Sequence, residues 1–286
     1  MTDPVGNYAR AVLKGKIVAG ELVKLACRRH LDDLEHGPWR GLRFDRKDAL
    51  DAIDFFPLLH HSQGEWAGGP FILQPWQSFI IGSLFGWKRA DGTRSFRTAY
   101  NEVARKNGKS TLSAGVGLYL FDGDGEPGAQ VFTAATKRDQ ARIVHSEAVR
   151  MVKASSALRS HIRVFKDNLN IEATASKYEP LGADSDTMDG LNVHGAIIDE
   201  LHAHKKPGLW IFSKRPGALV GNHLSLRLQP QVTTGTQYVG SIGITQTRCS
   251  EEFFGTTPGL PTSQPSTRPI RGRMKKSGRK PTRITE

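Results

Sequence analysis

The chain has 286 residues, 38% hydrophobic and 24% charged, which is ordinary for a water-soluble fold and ample for one large domain or two small ones. Its two cysteines, Cys27 and Cys249, exclude a disulfide framework or a cysteine-based zinc site. No apolar run approaches the roughly 20 residues of a membrane span, and Met1–Arg10 lacks a signal-peptide core, so a cytoplasmic protein with no membrane partner is expected. The net charge of +12 is unevenly placed: residues 211–286 carry twelve Lys/Arg against three Asp/Glu, or +9, which leaves +3 for residues 1–210. Basicity therefore describes the tail, and alone it argues only weakly for nucleic acid.

In chain order, Leu22, Leu25, Ala26, Leu31 and Leu34 recur at helical spacing among charges and predict a helix over Gly20–Leu34, ended by Gly37-Pro38. Asp45–Leu59 predicts a second helix leading to Pro57. Phe71–Gln77 and the apolar run Ser78–Trp87 follow. A Gln and an aromatic here could hold an adenine, or Trp76 could simply plug the core. A strand-like run from Arg97 then enters Tyr100–Leu112, a polar turn with Gly108-Lys109-Ser110, and a helix is predicted over Ser113–Phe121.

Strand, Gly-Lys-Ser turn and helix form the setting of a phosphate loop: backbone N–H groups and the helix N-terminus attract a polyphosphate. In that reading Lys109 reaches the β- and γ-phosphates and the Ser110 hydroxyl ligates Mg²⁺. Val103 stands where the usual pattern begins with glycine, while Arg105 and Lys106 add charge inside the turn. An ordinary polar turn is the alternative.

Asp122–Gly128 reads as a turn, Ala129–Ala134 as a buried strand, and Thr136–Val152 as a helix whose start carries Lys137 and Arg138. Short strands are expected within Ile162–Ile171 and at Ser176–Leu181. The alternation predicts a mostly parallel sheet with flanking helices. Asp184–Gly190 reads as a connector. Val193–Ile198 is an apolar strand followed by Asp199-Glu200, where an ATPase of this class would hold Mg²⁺ (Asp199) and polarise the attacking water (Glu200). His194, His202 and His204 lack the i, i+4 spacing of a metal site and read as supporting or surface residues.

These stretches together resemble the ATPase part of a tailed-phage terminase large subunit, from about Gly20 to Trp210. The resemblance is carried by Leu73-Gln74-Pro75-Trp76-Gln77, Val103–Ser110, Ala134–Ala141, Asp184–Leu191 and Ile197–His204. It implies a P-loop NTPase-type α/β fold that binds ATP and Mg²⁺. Arg105, Lys106, Asn107, Gly108, Lys109, Ser110 and Thr111 would line the phosphates, and Gln74, Trp76 and Gln77 the adenine. Lys109, Glu200 and Arg105 (sensing the γ-phosphate) would serve hydrolysis, with Ser110 and Asp199 on the metal. It further implies sequence-tolerant contact with double-stranded DNA, a small terminase subunit and a portal as partners, and a homo-oligomer at full length. A helicase-like P-loop translocase, or an inactive prophage remnant that at most binds nucleotide or DNA, are the competing functions.

After Trp210 the resemblance stops. A Thr-Thr-Ala-Gly coupling segment and a carboxylate-rich nuclease domain would come next, but Thr233-Thr234-Gly235 and three acidic residues stand there. Read from the last base of each codon, codons allowed for Ser213–Pro216, Arg227–Thr234 and Arg279–Thr285 can spell Glu-Thr-Ala, Ile-Thr-Thr-Ala-Gly-Tyr and Glu-Ala-Asn-Pro-Asn-His. A single-nucleotide frameshift near codons 210–211 is therefore expected, with a disordered basic tail; a genuine basic DNA-binding arm is the rival. The layout expected is a helical region 1–60, an ATPase core 61–210 lacking its coupling strand, and a non-homologous tail 211–286. Such a core would expose an unpaired sheet edge and be poorly soluble.

Overall fold

The computed structural model describes residues 3–104, 107–135, 138–182, 193–198, 224–231 and 242–245, the last two as backbone only. These all fall in a compact unit that spans Met1–Arg248.

Four helices open the chain. α1 (Pro4–Leu13) is capped by Asp3, whose carboxylate accepts from the Gly6 N–H. α2 (Glu21–His36) begins within a residue of the predicted helix, and Gly37-Pro38 turns it into a short 3-10 segment. α3 (Arg46–Phe55) starts at Asp45, which accepts hydrogen bonds from the N–H groups of Lys47 and Asp48, an N-cap legible in the sequence. α4 (Pro75–Gly86) is the element periodicity could not show. Every residue from Gln77 to Gly86 is buried, so the helix is apolar on all sides. Gly82 and Gly86 let it approach α1 and α3: a Cβ on Gly82 would stand 2.3 Å from Val5 Cγ2, and one on Gly86 would stand 2.8 Å from Ala49 Cβ.

Two short strands, β1 (Leu42–Phe44) and β2 (Trp87–Arg89), pair antiparallel beside these helices. The main sheet follows: β3 (Thr98–Ala104), β4 (Gln130–Ala135), β5 (Arg163–Val164), β6 (Leu169–Ile171), β7 (Ser176–Gly182), β8 (Val193–Ile198), β9 (Leu224–Gln231) and β10 (Ile242–Thr245). Their spatial order is β10-β3-β9-β8-β4-β7-β6-β5. The central five, β3 to β7, run parallel, and the outer pairings are antiparallel.

α5 (Lys109–Leu118) and α6 (Arg138–Ala154) pack side by side against this sheet. The main core runs from α1, through Phe56, Leu59 and Phe71, to Val116, Val131 and Ile197. The other face of the sheet carries a smaller cluster of Phe132, Val193 and Ala196.

β9 and β10 correct the expectation that residues 211–286 supply no strand. β9 is hydrogen-bonded in parallel between β3 and β8, and β10 covers the outer side of β3. β9 pairs along the whole of one edge of β3 and β10 with Thr98–Asn101 on the other, so the missing central strand expected to leave an open edge is present. Apart from these two strands, residues 199–286 lie outside the described residues, as does the Asp184–Gly190 loop.

Candidate nucleotide site

The strand β3 delivers the chain to the turn before α5. Val103, at the position of the missing glycine, is buried within the strand. Arg105 and Lys106 lie outside the described residues. Asn107 and Gly108 are exposed, and Gly108 adopts φ +71°. A Cβ at Gly108 would meet nothing within 4 Å. Glycine is needed there for its left-handed backbone and not for space.

α5 begins at the next residue, four positions earlier than the sequence predicted, with its first backbone bond running from the Leu112 N–H to the Gly108 carbonyl at 2.9 Å. Lys109, Ser110 and Thr111 therefore occupy its first turn, half-buried, where the helix N–H groups have no partner inside the helix. From Leu112 onward the helix is buried. The Ser113 hydroxyl donates to the Lys109 carbonyl at 2.7 Å, which keeps it in the helix turn and away from the open end.

Small residues seat α5. A Cβ at Gly115 would stand 2.5 Å from the Phe56 ring, and one at Gly117 would stand 2.5 Å from Tyr178 Oη and 2.9 Å from Ile197 Cδ1. On β8, a Cβ at Gly195 would stand 2.8 Å from Leu120 Cδ1. The helix thus lies directly on β8, antiparallel to it. β8 ends at Ile198, and the acidic pair Asp199 and Glu200 follows, outside the described residues with His202 and His204. Lys137 and the Arg138 side chain also lie outside them.

Upstream, the three predicted adenine-side residues stand at the start of α4: Gln74 is its N-cap, and Trp76 and Gln77 lie in its first turn. Gln77 is buried and its Oε1 accepts from the Gln74 N–H at 2.8 Å, so its carbonyl is committed to holding the helix start. Gln74 is exposed. Trp76 is half-buried against the main core.

At the far end of α5 the helix widens into a π-helical turn, Tyr119–Gly123. The residue after it, Asp124, accepts two contacts from Arg94 Nη1, at 2.8 and 2.7 Å, and one from His194 Nε2 at 2.6 Å. Burial alone would raise this carboxyl, but the Arg94 guanidinium and the His194 ring overcome that and hold it down at about 2. Arg94 is 1% exposed and also stacks over Phe85. His194, read from sequence as a supporting or surface residue, is buried. No local motif marks this trio, because its members are 30 and 70 residues apart in the chain.

Among the described residues no cluster of three or more His, Cys, Asp or Glu could hold a metal, and no helix is long and apolar enough to cross a membrane.

Residues 75–220, just over half the chain, match the family described as the terminase large subunit, ATPase domain. The chain belongs to this terminase family. The match extends ten residues past Trp210, where the character of the sequence changes. The chain is also similar to the large subunit of the terminase of Enterobacteria phage HK97, with 30% identity over 141 residues, 48% of this chain and 27% of that protein. The crystal structure of the HK97 large terminase superposes with a TM-score of 0.53 at 27% identity, over 63% of this chain and 37% of that one. The terminase chain described here therefore spans well under half the length of these relatives. Its fold is the mixed α/β sheet with flanking helices of that family.

Proposed function

We propose that this chain is the ATP-hydrolysing motor part of a phage terminase, turning over ATP to drive double-stranded DNA into proheads. The observation that carries the reading is the left-handed Gly108 opening an otherwise buried helix that lies directly on β8. A triphosphate seated at the first turn of α5 meets the N–H groups of that turn, the helix dipole and the Lys109 ammonium. The Ser110 hydroxyl on the same turn is an oxygen donor suited to a hard divalent cation, and Asp199, one residue past β8, is proposed as its partner.

When bound, Mg²⁺ neutralises charge on the β- and γ-phosphates. Glu200 accepts a proton from the attacking water, and Arg105 senses the γ-phosphate from within the loop. Lys106, Asn107 and Thr111 complete the phosphate cradle. Gln74 and Trp76 face the adenine, and Gln77 offers only its amide nitrogen because its oxygen is engaged in the α4 turn. DNA, a small terminase subunit and a portal are the proposed partners, with a homo-oligomer at full length. DNA is held mainly through phosphates, so its affinity falls with salt.

The test is ATP turnover by the purified chain with Lys109→Ala as control. Loss of Lys109 is expected to lower turnover at least ~100-fold, the scale of removing a charge clamp on a transferring phosphoryl group. Equal rates for the two proteins would overturn the reading.

A further inference from the structure

We propose that Asp124, bound by His194 and Arg94, is a positioning residue that sets the register of α5 along β8, and so how the helix turn carrying Lys109 and Ser110 stands against the end of β8 at Ile198. The inference rests on the ATPase reading above.

Three contacts run down the helix and strand in opposite senses. Gly117 lies against Ile197, Leu120 against Gly195, and Asp124 binds His194. Seven residues of helix at ~1.5 Å each and three of strand at ~3.3 Å both come to about 10 Å, so the contacts keep step. The first two are contacts of hydrocarbon with glycine, smooth enough to allow sliding. The third is a directional, charge-assisted hydrogen bond that fixes one position.

Both ends of that bond are produced by backbone irregularities. On the strand, Gln130 pairs with Val193 and Val131 pairs with Gly195, so His194 is the extra residue of a β-bulge. Bulges re-aim side chains, and this one turns His194 to the helix side of the sheet. On the helix, the π turn Tyr119–Gly123 immediately precedes Asp124. Such turns carry an extra residue and a poorer hydrogen-bond geometry, and they persist where a side chain must be redirected. Arg94, four residues before β3, brings in the third element of the site from behind. One carboxylate thus joins the rear of the phosphate-loop strand, the phosphate-loop helix and the strand leading to Asp199.

The test measures equilibrium binding of a fluorescent ATP analogue to the full chain, with and without Mg²⁺, for wild type, Lys109→Ala, His194→Leu and His194→Gln, with melting temperature read in parallel. Triphosphate alone engages the α5 turn, whereas the tightening by Mg²⁺ needs Ser110 held in register with the end of β8. The expected result is that Mg²⁺ tightens wild-type binding at least ~10-fold. In His194→Leu the tightening falls below ~3-fold with metal-free affinity within twofold. In His194→Gln, whose amide nitrogen replaces Nε2, the tightening returns. Full Mg²⁺ tightening in a folded His194→Leu, or a parallel loss of metal-free and metal-bound affinity, would overturn the clamp. So would wild-type binding indifferent to Mg²⁺. No analogue binding by wild type, with Lys109→Ala unchanged, would instead remove the ATPase reading and the clamp with it.

Discussion

Gly108 is where one residue's backbone decides the site. With φ +71° and open space around it, an added methyl meets no neighbour and acts only through the left-handed conformation. Gly108→Ala is expected to cost about 1 kcal/mol of stability and to weaken nucleotide binding at least ~10-fold, because relieving the strain rotates the first N–H groups of α5. Chemical denaturation and nucleotide titration check the two effects. Asp124 shows the opposite case, a residue defined by its partners. Its carboxyl is held at about 2, below its unfolded value of 3.8, so its contribution is complete above pH 4 and is lost as pH falls from about 4 to about 2. A shift of this size corresponds to about 2 kcal/mol. Asp124→Asn is expected to flatten the stability curve in that window, leaving the smaller slope from Asp3, Asp45 and Asp91, which are also held low. Denaturant midpoints between pH 2 and 5 measure it; an unchanged slope contradicts the ion contact.

At the scale of elements, the seat of α5 depends on what is absent. Gly115 and Gly117 admit Phe56, Tyr178 and Ile197 to the helix backbone, and Gly195 admits Leu120 to the strand. Gly117→Ala is expected to cost ~1–3 kcal/mol, because the neighbours are a buried ring and a β-branched side chain with no room to withdraw. It should also reduce turnover by tilting the helix. Melting and steady-state ATPase assays on one preparation report both. Comparing it with Gly108→Ala separates a packing fault from a backbone fault, since Gly108 has no neighbour to meet.

For the whole molecule, β9 and β10 decide whether the sheet is continuous. β9 stands between β3 and β8, and β10 covers β3. A chain ended at residue 222 would lose both, exposing the edges of β3 and β8. It is expected to aggregate or to melt without cooperativity, whereas the 286-residue chain melts in a single transition. Circular dichroism melts and sedimentation compare them, and a cooperative, monomeric truncated form would contradict the role given to β9. The strand was in fact legible: Leu224, Leu226 and Leu228 alternate with Ser225, Arg227 and Gln229, a period of two that composition and codon arguments obscured. Pro230, opposite Val103, cannot donate to the ladder, which suits a strand about to end.

Local chemistry written in adjacent residues was determined by the sequence alone. Gly-Lys-Ser before a buried helix, an apolar strand before Asp199-Glu200, the Asp45 cap of α3 and the strand–helix alternation each depend on neighbours within a few positions, where propensity and hydrogen bonding act. Tertiary structure alone decided what depends on distant contacts. α4 carries no periodic signal because it is buried on every side. Gln77 is committed to the α4 turn by the hydrogen bond its Oε1 accepts from the Gln74 N–H. Arg94, Asp124 and His194 converge only after a π turn and a bulge have redirected two of them. A charge that far from its partner in sequence has no local signature, since its energy comes from burial and geometry that exist only once the sheet has formed.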